Sequence, residues 1–214
     1  SDDWFSWGRI GDVGYLSLTS FDELSPQGSE GADVASAASS MERVLEDLGD
    51  TRKLIVDVRA NEGGWDAVSL KVASYFAGEY AVAWSEQVRN GPDHDDFTAF
   101  EDVFVDQSGP DSYLAPVVLL TSGGTFSAAE TFVLAMGVRA RVTVLGESTA
   151  GQLSDLVGGR LPNGWLYTLS GERYRAADGL IYEAVGVPAD VPMSVDEAAL
   201  IDGRDPMFEA ALAL

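Results

Sequence analysis

Three short apolar runs constrain the fold of this chain more than any other feature. Lys53-Leu-Ile-Val-Asp-Val58, Pro116-Val-Val-Leu-Leu-Thr121 and Arg141-Val-Thr-Val-Leu145 are rich in β-branched residues and lack the polar alternation of a half-solvated strand. Such runs read as strands buried on both faces, the signature of a parallel sheet. The first two end in glycine breaks, Asn61-Glu-Gly-Gly64 and Ser122-Gly-Gly124, and lead into helix-like stretches, Trp65–Phe76 and Ser127–Val138. Strand, glycine turn and helix in repetition predict an α/β architecture with helices on both sides of a largely parallel sheet. Val13–Leu18 alternates like a strand. From about Gly31 to Leu48, Val34, Ala38, Met41, Val44, Leu45 and Leu48 recur near helical spacing before the stop signal Gly49. Arg89–Ser108 is polar, acidic and turn-rich and reads as a surface excursion. Short strands are expected up to Pro192, then a closing helix over Asp205–Leu214.

At 214 residues the chain can bury a sizeable core, and residues 1–214 read as one domain. Its 46% hydrophobic and 10% aromatic content excludes disorder by composition. No window approaches ~18 uninterrupted apolar residues, so a membrane-spanning helix is not expected. The first residues lack the basic and apolar regions of a signal peptide, so any export signal would lie upstream. A net charge of −22 repels nucleic acid and anionic lipid, so neither is an expected partner. The absence of cysteine removes disulfides, thiolate catalysis and zinc–thiolate sites. The chain carries one His and two Lys, and this scarcity matters for any chemistry that needs a base.

The segment Thr121-Ser-Gly-Gly-Thr-Phe-Ser-Ala-Ala-Glu130 sets Ser127 at the first turn of a helix, after a glycine-rich turn. Free backbone N–H groups and the helix dipole favour negative charge there, which suits a nucleophile beside an oxyanion hole. The same spacing also fits a plain N-cap, with Glu130 closing a capping box. Gly63-Gly64 likewise fits an ordinary strand-to-helix turn.

Ile55-Val-Asp-Val-Arg-Ala-Asn-Glu-Gly-Gly64 resembles the signature strand and turn of the C-terminal processing (tail-specific) serine peptidases, a family that includes the tricorn protease core and the repeats of interphotoreceptor retinoid-binding protein. Pro116–Glu130 resembles that family's nucleophile strand and helix, and Val144–Gly151 its next strand and turn. Leu161–Trp165 and Glu183–Asp190 resemble its late hairpin and closing motif, and Gly11–Leu18 the strand that opens its core. The resemblance implies a crotonase/Clp-protease-like fold, a peptide or protein substrate, and no metal or cofactor. It assigns Ser127 as nucleophile and the N–H groups of Gly64 and Ala128 as oxyanion donors.

The base is where the pattern departs. In the processing branch it is a lysine in the turn after the third strand, and here Gln152 stands at that position. A neutral amide cannot accept the serine proton. Lys53 and Lys71 lie before a strand and inside a helix, away from that turn. The tricorn-like branch uses a His near the opening strand and a Glu before the closing motif; Glu183 fits the second place, and Ser17 stands in the first. The resemblance is therefore nearer the tricorn and retinoid-binding branch than the Ser-Lys branch. His94, in Pro92-Asp-His-Asp-Asp96, reads as a solvated residue or as an imidazole brought over the cleft by its loop. Asp93, Asp95, Asp96, Glu101 and Asp102 lack the spacing of a calcium loop and read as a solvated face. Trp65, Phe76, Tyr80, Trp84 and Phe126 are expected in the core or lining a pocket near Ser127. The sequence thus supports a serine peptidase with a degenerate base and weak hydrolysis, in which Ser17→His would restore rate, or a non-catalytic peptide- or lipid-binding domain on the same fold. The family's habit and the cysteine-free, acidic composition suggest a periplasmic or secreted bacterial protein.

Overall fold

The computed structural model describes residues 4–106 and 112–214. In chain order the elements are β1 (Phe5–Ile10), β2 (Val13–Leu18), α1 (Glu30–Leu48), β3 (Lys53–Asp57), α2 (Asp66–Ser74), β4 (Ala81–Val88), β5 (Glu101–Val105), β6 (Val117–Thr121), α3 (Ala128–Gly137), β7 (Val142–Gly146), β8 (Leu156–Arg160), β9 (Leu166–Ser170), β10 (Glu172–Ala176), β11 (Val191–Pro192), α4 (Glu197–Ile201) and α5 (Pro206–Ala213). The main sheet runs β1-β2-β3-β6-β7-β11. All its neighbours are parallel except β1, which pairs antiparallel with β2. The three apolar runs of the sequence are its central strands, and every residue of β3 and β6 is buried. This is the mixed α/β architecture with a mainly parallel sheet that the sequence led us to expect.

Alternation along the strands sorts side chains into two cores. Leu16, Leu18, Leu54, Val56, Val117 and Leu119 point to the face covered by α1, α2 and α3, where Met41, Val44, Val72 and Phe132 meet them. Val13, Ile55, Val118 and Leu120 point to the opposite face, under Met207 and Ala211 of α5. Burying side chains of this size yields roughly 1.5–3 kcal/mol each, which fixes strand register. A second, antiparallel sheet has the order β10-β4-β5, and β8–β9 form a separate hairpin. Among the described residues no helix is long and apolar enough to cross a membrane.

Some details differ from the sequence reading. The supposed surface excursion Arg89–Ser108 contains β5, paired with β4; its last two residues lie outside the described ones. Val103 and Val105 turn towards the core while Glu101 and Asp102 stay exposed, so the strand's acidic end masks its apolar alternation. Phe76 and Trp84 are buried as expected, but Trp65 and Tyr80 are exposed, Tyr80 stacking on Phe104 with ring centroids 4.6 Å apart.

Polar side chains pin α5 at both ends. Arg59, just past β3, donates to both oxygens of Asp205, the N-cap of α5, at 3.0 and 2.7 Å, and to Asp57 at 2.7–3.2 Å. Burial opposes the Arg59 charge, but the two carboxylates raise its pKa above the ordinary value. Burial, then Asp57, push the Tyr15 phenol up to about 12, and that phenol donates to Asp57 at 2.9 Å. At the other end Lys53 Nζ donates to the carbonyls of Ala211 and Leu212 at 2.8 and 3.0 Å, satisfying orphan acceptors of the last turn. Removing one partner of a buried charge network leaves the others uncompensated. Arg59→Met is predicted to destabilise the fold by about 3–5 kcal/mol, read from chemical denaturation at pH 7.

Candidate active site

The loops at the carboxyl ends of β3 and β6 are joined to each other. Thr125 Oγ1 donates to the Val58 carbonyl at 3.0 Å, Ser122 Oγ to that of Arg59 at 2.7 Å, and Phe126 N–H to that of Asn61 at 3.0 Å. Asn61 is fully buried; its amide donates to the Leu18 carbonyl and its oxygen accepts from Gly63 N–H at 2.8 Å. The result presses Gly63 against the start of α3. A Cβ on Gly63 would lie 2.7 Å from Ser127 Cβ, and one on Gly64 would lie 2.2 Å from the Phe21 carbonyl carbon. Both glycines also have positive φ, so no other residue fits this crossing. The peptide bonds flanking Gly64 are committed, Phe21 N–H to Gly63 O and Trp65 N–H to Phe21 O. The N–H groups of Gly64 and Ala128 have no acceptor among the described residues.

Ser127 is the N-cap of α3 with φ 56° and ψ −126°, a conformation that costs a non-glycine residue about 1–3 kcal/mol. The capping-box arrangement foreseen as an alternative is present. Its glutamate half is the Ser127 N–H bond to Glu130 at 3.3 Å, while the Glu130 N–H also gives a short bond, 2.7 Å, to the Ser127 carbonyl. The Ser127 side chain borders a cavity of about 290 Å³. Phe126, Gln152 and Glu183 share that cavity, as do Asp155, Leu156 and Ser170.

Glu130 holds these parts together. Its carboxylate is fully buried and accepts from Thr149 Oγ1 at 2.5 Å, Gly151 N–H at 2.7 Å, Gln152 N–H at 2.8 Å and Ser127 N–H at 3.3 Å. It thereby fixes the turn after β7 to the serine. That turn in turn fixes Glu183: Ala184 N–H donates to the Gly151 carbonyl, and Val187 N–H to Thr149 Oγ1 at 2.7 Å. Glu183 accepts from the N–H groups of Leu153 and Ser154 at 2.9 and 3.1 Å and from Ser170 Oγ at 3.3 Å. The roles of Glu130 beyond a capping box, and of Asp155 and Ser170, were missed in the sequence; Glu130's polar position in an otherwise apolar helical stretch was the available signal.

Ser17 is not brought to Ser127. It lines a different cavity, with Asp57, Arg59 and Ser122. The reason is strand parity: Ser17 follows Tyr15 on the α5 face of β2, whereas α3 packs on the face of Leu16 and Leu18. An imidazole at Ser17 would therefore project on the far side of the sheet from α3. His94 is exposed in the β4–β5 connection, where its backbone carbonyl accepts from Arg89, and no residue of that connection borders the Ser127 cavity. No cluster of three or more His, Asp or Glu among the described residues could hold a metal ion.

The residue model of peptidase family S41 matches residues 12–193. The chain belongs to peptidase family S41. A candidate peptidase of Parabacteroides merdae is 28% identical with a TM-score of 0.85, over 98% of this chain and 64% of that one. The photosystem II D1 C-terminal processing protease is 21% identical at TM-score 0.62, over 85% of this chain and 42% of that one. The tricorn protease is 19% identical at TM-score 0.64, over 95% of this chain and 17% of that one. This S41 chain thus spans less than two thirds of the length of each of these relatives.

Asp155 in the wall of this cavity also acts on a part-buried acid of α2. Asp66, the first residue of α2, accepts from Thr131 Oγ1 at 2.8 Å and from Tyr174 Oη at 3.2 Å. Burial raises its pKa to about 6; the Thr131 hydroxyl works against the shift, and Asp155 and Glu86 add to it. Burial, with Asp66 and Glu172, likewise raises the Tyr174 pKa. The carboxyl groups in the cavity wall itself are those of Asp155 and Glu183, and negative charge beside a serine disfavours its alkoxide.

Two predictions follow from this geometry. Gln at position 130 offers one acceptor oxygen where four donors converge, and hydrogen bonds to a charged acceptor contribute about 1.5–3 kcal/mol. Glu130→Gln should therefore lower unfolding free energy by about 3 kcal/mol or more in urea titration. An acid whose pKa rises from 3.8 to about 6 on folding binds its proton more tightly in the native state. Its contribution thus erodes stability as pH climbs through that window. Asp66→Asn should gain on the wild type from pH 4 to pH 7, by up to about 3 kcal/mol, in thermal melts across that range.

Proposed function

We propose that this domain is a serine peptidase-type site with the nucleophile and oxyanion donors in place and the general base missing. Ser127 Oγ would attack the carbonyl carbon of an extended peptide. The Gly64 and Ala128 N–H groups would accept the charge that develops on the carbonyl oxygen, where removal of one such donor typically costs about 10²–10³ in rate. The carrying observation is Ser127 itself, held at positive φ on a cavity wall. An N-cap serving only the helix has no reason to bear that strain.

The proton has nowhere efficient to go. Gln152, at the family lysine position, is exposed and borders the Ser127 cavity, but its amide is not basic. Glu183 borders the cavity too, and its carboxylate is engaged by two N–H groups and the Ser170 hydroxyl. That engagement suits it to orient a water or a substrate amide rather than to take the proton unaided. A positioned base contributes about 10²–10⁴ in rate. We accordingly read the domain as a weak hydrolase acting on peptide or protein chains. Ser17 lines a different cavity, which favours position 152 as the place of the lost base in this reading. The family's usual setting supports an exported protein.

The competing reading is a binding domain that uses the same cavity without chemistry, for which the missing base also speaks. A fluorophosphonate probe separates the two. Slow labelling of the wild type, none of Ser127→Ala, and labelling accelerated at least tenfold in Gln152→Lys are the expected results. Folded Gln152→Lys protein that labels no faster than Ser127→Ala would remove the peptidase reading and leave the binder.

A further inference from the structure

The turn that carries Glu183 has two sides, and only one of them faces Ser127. The turn is tight: the Tyr182 carbonyl accepts from the N–H groups of Val185 and Gly186 at 3.0 and 2.8 Å. Glu183 borders the Ser127 cavity, whereas Tyr182 and Val187 wall a second cavity of about 490 Å³, larger than the first. It lies between the C-terminal end of α3, β7 and the segment 176–190. Among the described residues the two linings have none in common. Cavities of this volume are within the range that holds small ligands.

Depth and charge together say what fits. Val133, Leu134, Val144, Ala176 and Val187 form the floor, and all five are buried. Asp178 and Asp190 stand at the exposed rim. Asp178 accepts from Leu180 N–H at 2.8 Å and from Tyr182 Oη at 2.6 Å. That hydrogen bond, then burial, push the Tyr182 phenol up to about 12, so it remains a neutral donor. Asp190 Oδ2 accepts from Val144 N–H at 2.8 Å, and its other oxygen takes no hydrogen bond among the described residues. The donors to both carboxylates are therefore uncharged, and among the described residues of the wall none is Lys, Arg or His. Leu134 and Gly137 bring the last turn of α3 to the cavity, and that turn has no basic side chain to meet the negative end of the helix dipole. An apolar floor under an anionic rim is complementary to an aliphatic chain that ends in a cation. The same rim repels a fatty acid or a peptide's terminal carboxylate. A peptide main chain finds no strand ladder at this point either, because Asp190 already occupies the Val144 N–H.

We propose that this cavity is a binding site for a small primary alkylammonium ligand, its chain among Val133, Val144 and Val187 and its head between Asp178 and Asp190. The occupant touches Tyr182 and Val187, on both sides of Glu183. The turn is also braced from behind, since a Cβ on Gly186 would lie 2.1 Å from the Thr149 carbonyl oxygen. Filling the cavity thus restrains the turn that carries Glu183. Binding here holds whether or not Ser127 is catalytic.

A net charge of −22 draws cations to the whole surface, so the test must separate charge from chain. Amide ¹H–¹⁵N spectra of the wild type, titrated at pH 7 with n-hexylamine, ethylamine, hexanol and hexanoate, do this without any variant. Hexylamine should shift the amides of Gly137, Val144 and Val187 saturably, with a dissociation constant in the low-millimolar range. Each of the other three probes should bind at least fivefold more weakly. Asp178→Asn combined with Asp190→Asn keeps the acceptors for Leu180 and Val144; it should weaken hexylamine at least fivefold and leave hexanol within twofold. Ala177→Trp, at an exposed wall position, should block both, with circular dichroism confirming that each variant is folded. Hexylamine that binds no tighter than hexanol or ethylamine would overturn the proposal. So would shifts that gather at residues 152–156 and survive Ala177→Trp. Nα-acetyl-lysine methylamide binding more tightly than hexylamine would overturn the assignment to a small molecule and give the cavity to a lysine side chain.

Discussion

A single buried carboxylate carries much of this architecture. Glu130 lies one helical turn beyond Ser127 and takes bonds from the serine's own N–H and from three donors in the turn after β7. A carboxylate without water must be met by donors or give up its charge. Those donors can be supplied only if the turn after β7 is brought against the amino end of α3. Satisfying one charge therefore dictates where residues 149–152 run, and through Gly151 and Thr149 where residues 183–187 run. Glu183 reaches the Ser127 cavity as a consequence of that chain of bonds.

The glycine crossing is the complementary constraint. Gly63 and Gly64 let the backbone after β3 touch α3 and Phe21 at distances no side chain tolerates. Ser127 bears the corresponding strain, for its φ of 56° is one glycine would adopt without penalty. Tight backbone contact on one side and a buried ion on the other leave the serine little freedom. Rigid placement of this kind is what acyl-transfer chemistry exploits, since positioned groups need not reorganise when charge develops.

The central strands were legible because they are buried on both faces: β3, β6 and β7 carry their environment in composition alone. α1 was legible in part: Met41, Val44 and Leu48 of the apolar spacing are buried, whereas Val34, Ala38 and Leu45 are only partly so and Asp33, Ala37 and Ser40 take the other buried positions. β1 and β5 were not, since each exposes one face and carries polar residues near its ends. Motif order was enough to set Ser127, Gly64 and Ala128 at one junction. It failed for Ser17, because a resemblance aligned loosely along a strand does not fix parity, and one residue of slip moves a side chain through the sheet. The role of Glu130 was hidden for another reason: a capping spacing says nothing about donors arriving from twenty residues downstream.

The turn at Gln152 has a consequence for how such a scaffold can change. Glu130 is met there by the backbone N–H of residue 152, and the side chain at that position stands in solvent. Replacing an exposed side chain typically alters stability by no more than about 0.5 kcal/mol. Under the proposed function, the group that would decide whether the serine has a proton acceptor is thus nearly invisible to folding. On that reading, catalytic competence and structural integrity would be held by different atoms of one residue, so a lineage could lose or regain chemistry here by single substitutions while its fold and its cavity pass through unchanged.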